Sequence, residues 1–137
     1  MTKMYTYVNF AGKCAEAFRF YERCLGGKIV MIQTHGESPM KDNVPPEWHD
    51  KVIHVRLEAG GQALMGSDAP PAHYQSPQGF SVSFTAGSPE HAARVFNELA
   101  AGGTVTMPFG KTFWSPGFGM TVDKFGIPWM VNSAPAS

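Results

Sequence analysis

Two stretches of amphipathic sequence each end in a glycine pair, Gly26-Gly27 and Gly102-Gly103. Subtracting 26 from 102 gives an offset of 76, and at that offset the surroundings of the two pairs also align. Ala17 meets Ala93, Phe20 meets Phe96 and Glu22 meets Glu98; beyond the glycines, Ile29 meets Val105 and Met31 meets Met107. The matches span a helix, its stop and the strand that follows, so the chain reads as two similar halves. A half of this size exposes one face of a small sheet, and pairing the halves is how that face is buried.

The elements follow from periodicity. Tyr5 to Phe10 reads as a first strand. Cys14, Ala17, Phe18, Tyr21 and Leu25 fall near the i, i+3, i+4, i+7 spacing of a helix over 13–25. Lys28 to His35 is a second strand, followed by a loop with Pro39, Pro45 and Pro46. Over 52–59 the pattern alternates, with Ile53, Val55 and Leu57 on one face and His54, Arg56 and Glu58 on the other. Gly60-Gly61 turns the chain into a return strand from Gln62 to Ser67. After a second loop the order repeats: a strand from Phe80 to Thr85, then Ser88-Pro89-Glu90 as a helix start. Three more strands lie in Thr104 to Met107, within Phe113 to Val122, and in Ile127 to Val131. Asp123 to Gly126 is the turn before the last of them.

Composition excludes several functions. Eleven basic and eleven acidic residues give zero net charge, which provides no basic face for nucleic acid and no attraction to an anionic membrane. No apolar run reaches the roughly 18 residues of a spanning helix, and the N-terminus lacks the pattern of a secretory signal. Cys14 and Cys24 lie ten apart on one helix, a rise of about 15 Å that is too long for a disulfide. They are expected as inert reduced thiols in a cytoplasmic protein. The phosphate loop, the G-x-S-x-G elbow, H-E-x-x-H and C-x-x-C are all missing.

The string Phe20-Tyr21-Glu22-Arg23-Cys24-Leu25-Gly26-Gly27 resembles a helix end of the vicinal oxygen chelate superfamily, which includes glyoxalase I and bleomycin-resistance proteins. Further stretches resemble its PhnB-like branch: Val8 to Gly12, Ile53-His54-Val55, Leu64 to Asp68, Met107-Pro108, Thr112-Phe113-Trp114, and Phe118 to Met130. The resemblance covers about Tyr5 to Asn132. It implies an α+β fold of two paired βαβββ modules, forming an open, curled mixed sheet around a cavity. The chain is then one domain, 1–137, with module one at about 4–68, a loop at 69–79 and module two at about 80–133. A homodimer is expected by resemblance alone.

In metal-using members the resemblance implies four histidine, glutamate or glutamine ligands, drawn from the first and fourth strands of each module. Here those places fall near Tyr5 or Tyr7, near Leu64 or Met65, near Ser81 or Ser83, and at Met130, seven residues after Asp123. Thioethers and hydroxyls are poor ligands for hard or borderline divalent ions. The expectation is therefore no metal and no other cofactor. The alternative is a displaced divalent-metal site among His35, Glu37, His49, His54 and Asp68. A methyltransferase label, sometimes attached to this branch, finds no nucleotide-binding glycine turn here.

Candidate ligand-binding residues are Tyr7, Asn9, Arg56, Met65, Trp114, Met120 and Trp129, and His54 is the candidate acid-base group. Each has a structural alternative. Arg56 equally suits a pair with Glu58, Trp129 suits the core, and methionines suit gap filling. The favoured function is metal-free binding of a small amphipathic molecule. The alternatives are a glyoxalase-like lyase, isomerase or dioxygenase with an altered metal site or His54 chemistry, and an assembly partner with a vestigial cleft.

Overall fold

A computed structural model describes residues 2–135. The chain divides into two compact units, Met1–Gln75 and Ser76–Ser137. Module one runs β1 (Thr6–Phe10), α1 (Cys14–Leu25), β2 (Lys28–Thr34), β3 (Val52–Ala59) and β4 (Gln62–Asp68). Module two runs β5 (Val82–Ala86), α2 (Pro89–Ala100), β6 (Thr104–Gly110), β7 (Phe118–Val122) and β8 (Pro128–Ser133). The sheets are ordered β1-β4-β3-β2 and β5-β8-β7-β6, and each first strand runs parallel to the fourth of its own module. This is the α+β fold of two βαβββ modules that the resemblance implied.

The duplication extends to the irregularities. Pairing of β2 with β3 slips between Ile29 and Met31, and pairing of β6 with β7 slips between Val105 and Met107, the same two positions at the offset of 76. The two glycines of each pair do different work. Gly26 and Gly102 take positive φ, 70° and 78°, where an L side chain is disfavoured. Gly27 and Gly103 sit against the neighbouring strand instead. A Cβ on Gly27 would lie 2.6 Å from the Glu58 carbonyl oxygen, and one on Gly103 would overlap the Val122 carbonyl oxygen.

One face of each sheet is closed by its own helix. In module one Cys14, Ala17, Phe18 and Tyr21 are fully buried, with Val8, Phe10, Val55, Leu57 and Leu64 also in the core. Gly66 is bare because Phe18 fills the space: a Cβ there would meet the ring at 2.7 Å. In module two Ala92, Val95, Phe96 and Leu99 bury the stripe of α2, and Gly119 accommodates Phe96 in the same way. Burial of each larger side chain among them, such as Phe18, Leu57 or Leu99, contributes about 1.5–3 kcal/mol.

The helix starts differ. Ser88 caps α2 as its sequence predicts, its hydroxyl accepting from His91 N–H at 3.2 Å, with Pro89 in the first turn. Lys13 precedes α1 and offers no cap. Asp68, at the far end of β4, supplies one: Oδ1 accepts from Gly12 N–H at 2.8 Å and Cys14 N–H at 3.0 Å, and Oδ2 from Val52 N–H at 3.0 Å. One buried carboxylate of β4 thus ties the start of α1 to β3.

The face assigned to Ile53 is corrected. Val52 is buried and Ile53 half-exposed, because pairing passes from Gln33 with His54 to Thr34 with Val52 and leaves Ile53 in a bulge. The loop after β2 is also more ordered than its prolines suggest, forming three short 3₁₀ turns at His35–Glu37, Lys41–Asn43 and Pro46–Trp48.

Cys14 and Cys24 are buried, and burial pushes the Cys14 thiol well above its ordinary range. The thiolate is the reactive form. Folded protein should therefore show almost no thiol reacting with a disulfide reagent at neutral pH over minutes, and both thiols should react once denaturant is added. Prompt reaction of a thiol in the native state would contradict this packing.

Candidate functional site

Strand register places the candidate residues of module one on the face opposite α1. Across that face Tyr7 pairs with Met65, Met65 with Arg56, and Arg56 with Met31. A second row holds Asn9 paired with Ser67, and His54 paired with Gln33. The first row alternates polar and apolar, with Tyr7 and Met31 at its ends and Met65 and Arg56 between them. Tyr7 and Met31 are 43% and 42% exposed, while Met65, His54 and Arg56 are half-buried.

Tyr7 reaches across β4 to His54. The rings stack with centroids 5.7 Å apart and planes 22° from parallel, and the hydroxyl shares a hydrogen bond of 3.2 Å with His54 Nδ1. Next to them, Arg56 lies over the Tyr5 ring at 4.8 Å from its centroid, with one guanidinium nitrogen donating to the Tyr5 hydroxyl at 3.4 Å. That hydrogen bond lowers the Tyr5 pKa below its ordinary value and raises that of Arg56. Arg56 Nε also donates to Glu58 at 2.9 Å, so the pair considered as its structural alternative is formed. Both partners are partly exposed, and such a pair adds little stability. Its consequence is local: Arg56 is held flat and its charge is largely balanced. The Asn9 side-chain oxygen accepts from the Ser67 hydroxyl at 3.0 Å. Ser67 was not among the predicted residues, although alternation from Met65 pointed to it.

In module two the corresponding row is Ser83, Met130, Met120 and Met107. Trp114 stands beside it, 54% exposed, with its ring edge-on to Phe118 at 5.3 Å and to Phe113 at 4.7 Å. Trp129 does not join this face. It is 1% exposed on the α2 side of β8, and its indole N–H donates to Asp123 Oδ2 at 2.8 Å. The reason is parity: on β8 it alternates with Met130, so the two cannot face the same way.

The places where metal-using relatives draw ligands can now be tested for chemistry. Tyr7 pairs with Met65 and Ser83 with Met130, across the parallel first and fourth strands of each module. In each module a thioether with a phenol or an alcohol does not fit a hard or borderline divalent ion. The displaced candidates are engaged elsewhere. Glu37 accepts from Thr34 N–H and hydroxyl, both at 2.9 Å, and the backbone bond in particular holds its carboxyl below the usual range. His35 Nε2 donates to the Asp68 carbonyl oxygen, His49 Nε2 to that of Lys41, and the Asp68 carboxylate holds three backbone N–H groups. Among the described residues no three His, Cys, Asp or Glu side chains gather in one place. Nor is any helix of the described residues long and apolar enough to cross a membrane.

Comparison with known proteins agrees with this architecture. Residues 6–131 match the family model of the Glyoxalase/Bleomycin resistance protein/Dioxygenase superfamily. Protein YjdN of Escherichia coli is 37% identical over 134 residues, covering 92% of this chain and 91% of that protein. The crystal structure of PA1353 from Pseudomonas aeruginosa is 44% identical with a TM-score of 0.89, covering 97% of this chain and 98% of the other. A PhnB protein of Bacillus cereus, provisionally described as a 3-demethylubiquinone-9 3-methyltransferase, is 30% identical with a TM-score of 0.80, covering 97% and 100%. On the sheet order, the repeated register and these matches, the chain belongs to the glyoxalase/bleomycin resistance protein/dioxygenase superfamily, with a PhnB protein among its relatives.

Proposed function

We propose that the protein binds a small amphipathic molecule on the helix-free face of module one, without the metal that the superfamily's enzymes use. The observation that carries this reading is the stacked, hydrogen-bonded Tyr7–His54 pair, set beside Met65 and Met31 on the face opposite α1, where Tyr7 and Met31 are exposed. Flat rings give a ligand large contact area at low entropic cost, and thioethers adapt to its outline. His54, Asn9 and Ser67 supply directional hydrogen bonds, and Arg56, already balanced by Glu58, favours a polar group over a bare anion.

Aromatic antibiotics and α-keto acids are the probes, followed by thermal unfolding in the presence of a chelator. A probe at a hundred times its dissociation constant adds about 2.7 kcal/mol of stability. Replacing Tyr7 by Ala is expected to weaken binding of the responding probe about tenfold, through lost ring contact and a lost hydrogen bond. Unchanged affinity in Tyr7→Ala would remove this face from consideration.

The hydrogen bond between Tyr7 and His54 also favours a second reading, in which His54 moves a proton on a bound substrate. His54→Gln separates the two. In an enzyme it abolishes turnover while leaving affinity nearly intact; in a binding protein it lowers affinity and no turnover exists to lose. The same family-level reading includes a homodimer, and the two buried thiols suit a reducing compartment. A solution mass of twice 14.9 kDa by light scattering tests the dimer.

A further inference from the structure

On module two a polar group stands without a partner. Asn132 Oδ1 is buried, and among the described residues it is the one buried side-chain nitrogen or oxygen with no hydrogen-bond partner. It lies on β8 between Thr85 of β5 and Phe118 of β7, two residues from Met130 and so on the same side of the sheet. That side faces away from α2, since Gly119 and Val131, the neighbours in the opposite parity, are the positions packed toward Phe96 or fully buried.

A buried acceptor left unmatched is costly, and native proteins rarely keep one without a use. Its surroundings limit that use. Ser83, Thr85, Met107, Met120, Met130 and Phe118 share the side, and none carries a charge. The three methionines form a pliable apolar floor, and Trp114 stands edge-on to Phe118 next to Asn132's own strand partner.

We propose that this side of module two takes the apolar body of an uncharged small molecule carrying a hydrogen-bond donor, and that Asn132 Oδ1 receives the donor. This deepens the small-molecule reading above by naming the ligand chemistry, but it stands on different residues from the Tyr7–His54 pair.

The test uses 4-propylphenol and 4-propylanisole, equal in apolar body and differing in the one O–H donor. Protein labelled at its methionine methyls is titrated with each. Met107, Met120 and Met130 report module two, while Met31 and Met65 report module one, so failure of one reading is visible apart from the other. The phenol should shift the Met120 and Met130 signals with affinity about tenfold tighter than the anisole, the scale of one satisfied buried acceptor. In Asn132→Leu the two affinities should become equal, with anisole binding unchanged or improved. Equal affinities in the unmodified protein would overturn the proposal, even if Asn132→Leu does not fold. So would a phenol preference that survives Asn132→Leu, or shifts confined to Met31 and Met65.

Discussion

Asp68→Ala is expected to lose about 3–5 kcal/mol of folding stability, more than any other single polar change in module one. Asp68 is 3% exposed and its carboxylate accepts from Gly12, Cys14 and Val52, three backbone donors from two distant parts of the chain. Alanine leaves those buried donors without their acceptor, and it also uncaps α1, since Lys13 contributes nothing. Asp68→Asn keeps one oxygen and should lose about half as much, because a neutral acceptor makes weaker bonds than a charged one. Urea unfolding of the three proteins measures this, with the midpoint falling in the order wild type, Asn, Ala. A change below 1 kcal/mol in Asp68→Ala would mean that α1 is anchored by its apolar face alone.

Gly103→Ala is expected to be the most damaging single-methyl addition, costing about 3 kcal/mol or more. The added Cβ overlaps the Val122 carbonyl oxygen, which is backbone and cannot rotate away, so β6 and β7 must separate. Gly27→Ala meets Glu58 O in module one and should behave alike. Gly60→Ala is the control: its φ is positive at 57° but its surroundings are open, so only the conformational term of about 1–2 kcal/mol applies. Thermal unfolding of the three variants ranks them. Equal losses at Gly60 and Gly103 would show that conformation, not the close approach of strands, explains the second glycine of each pair.

These two residues also show how far sequence alone carries. The Gly-Gly pairs, the cap at Ser88 and the alternation from His54 to Glu58 are local signals, with partner and cause lying within a few residues. The fold was legible for that reason, down to the offset of 76 that the matching strand slips repeat. Asp68 was read as a possible metal ligand because its three partners are 16 to 56 positions away, and nothing in its neighbourhood announces them. Trp129 was placed among pocket residues because composition reveals a large ring and not the face it takes; alternation with Met130 decides that. Strand parity names Tyr7, His54 and Arg56, and the register brings them to one face with Met65. The ring stack between Tyr7 and His54 depends on β4 lying between β1 and β3, a non-local pairing. Asn132 went unnoticed, although the alternation that placed Met130 also places it.

The claim that a metal-free face of module one binds a small molecule is tested most directly by the methionine methyl spectrum. The protein is titrated with the aromatic antibiotic and α-keto acid probes, once with a chelator present and once with added zinc. The account predicts that a probe shifts Met31 and Met65 with the same dissociation constant in both conditions, and that Tyr7→Ala weakens it about tenfold. Binding that appears only with zinc, or that leaves Met31 and Met65 unmoved for every probe, would contradict it.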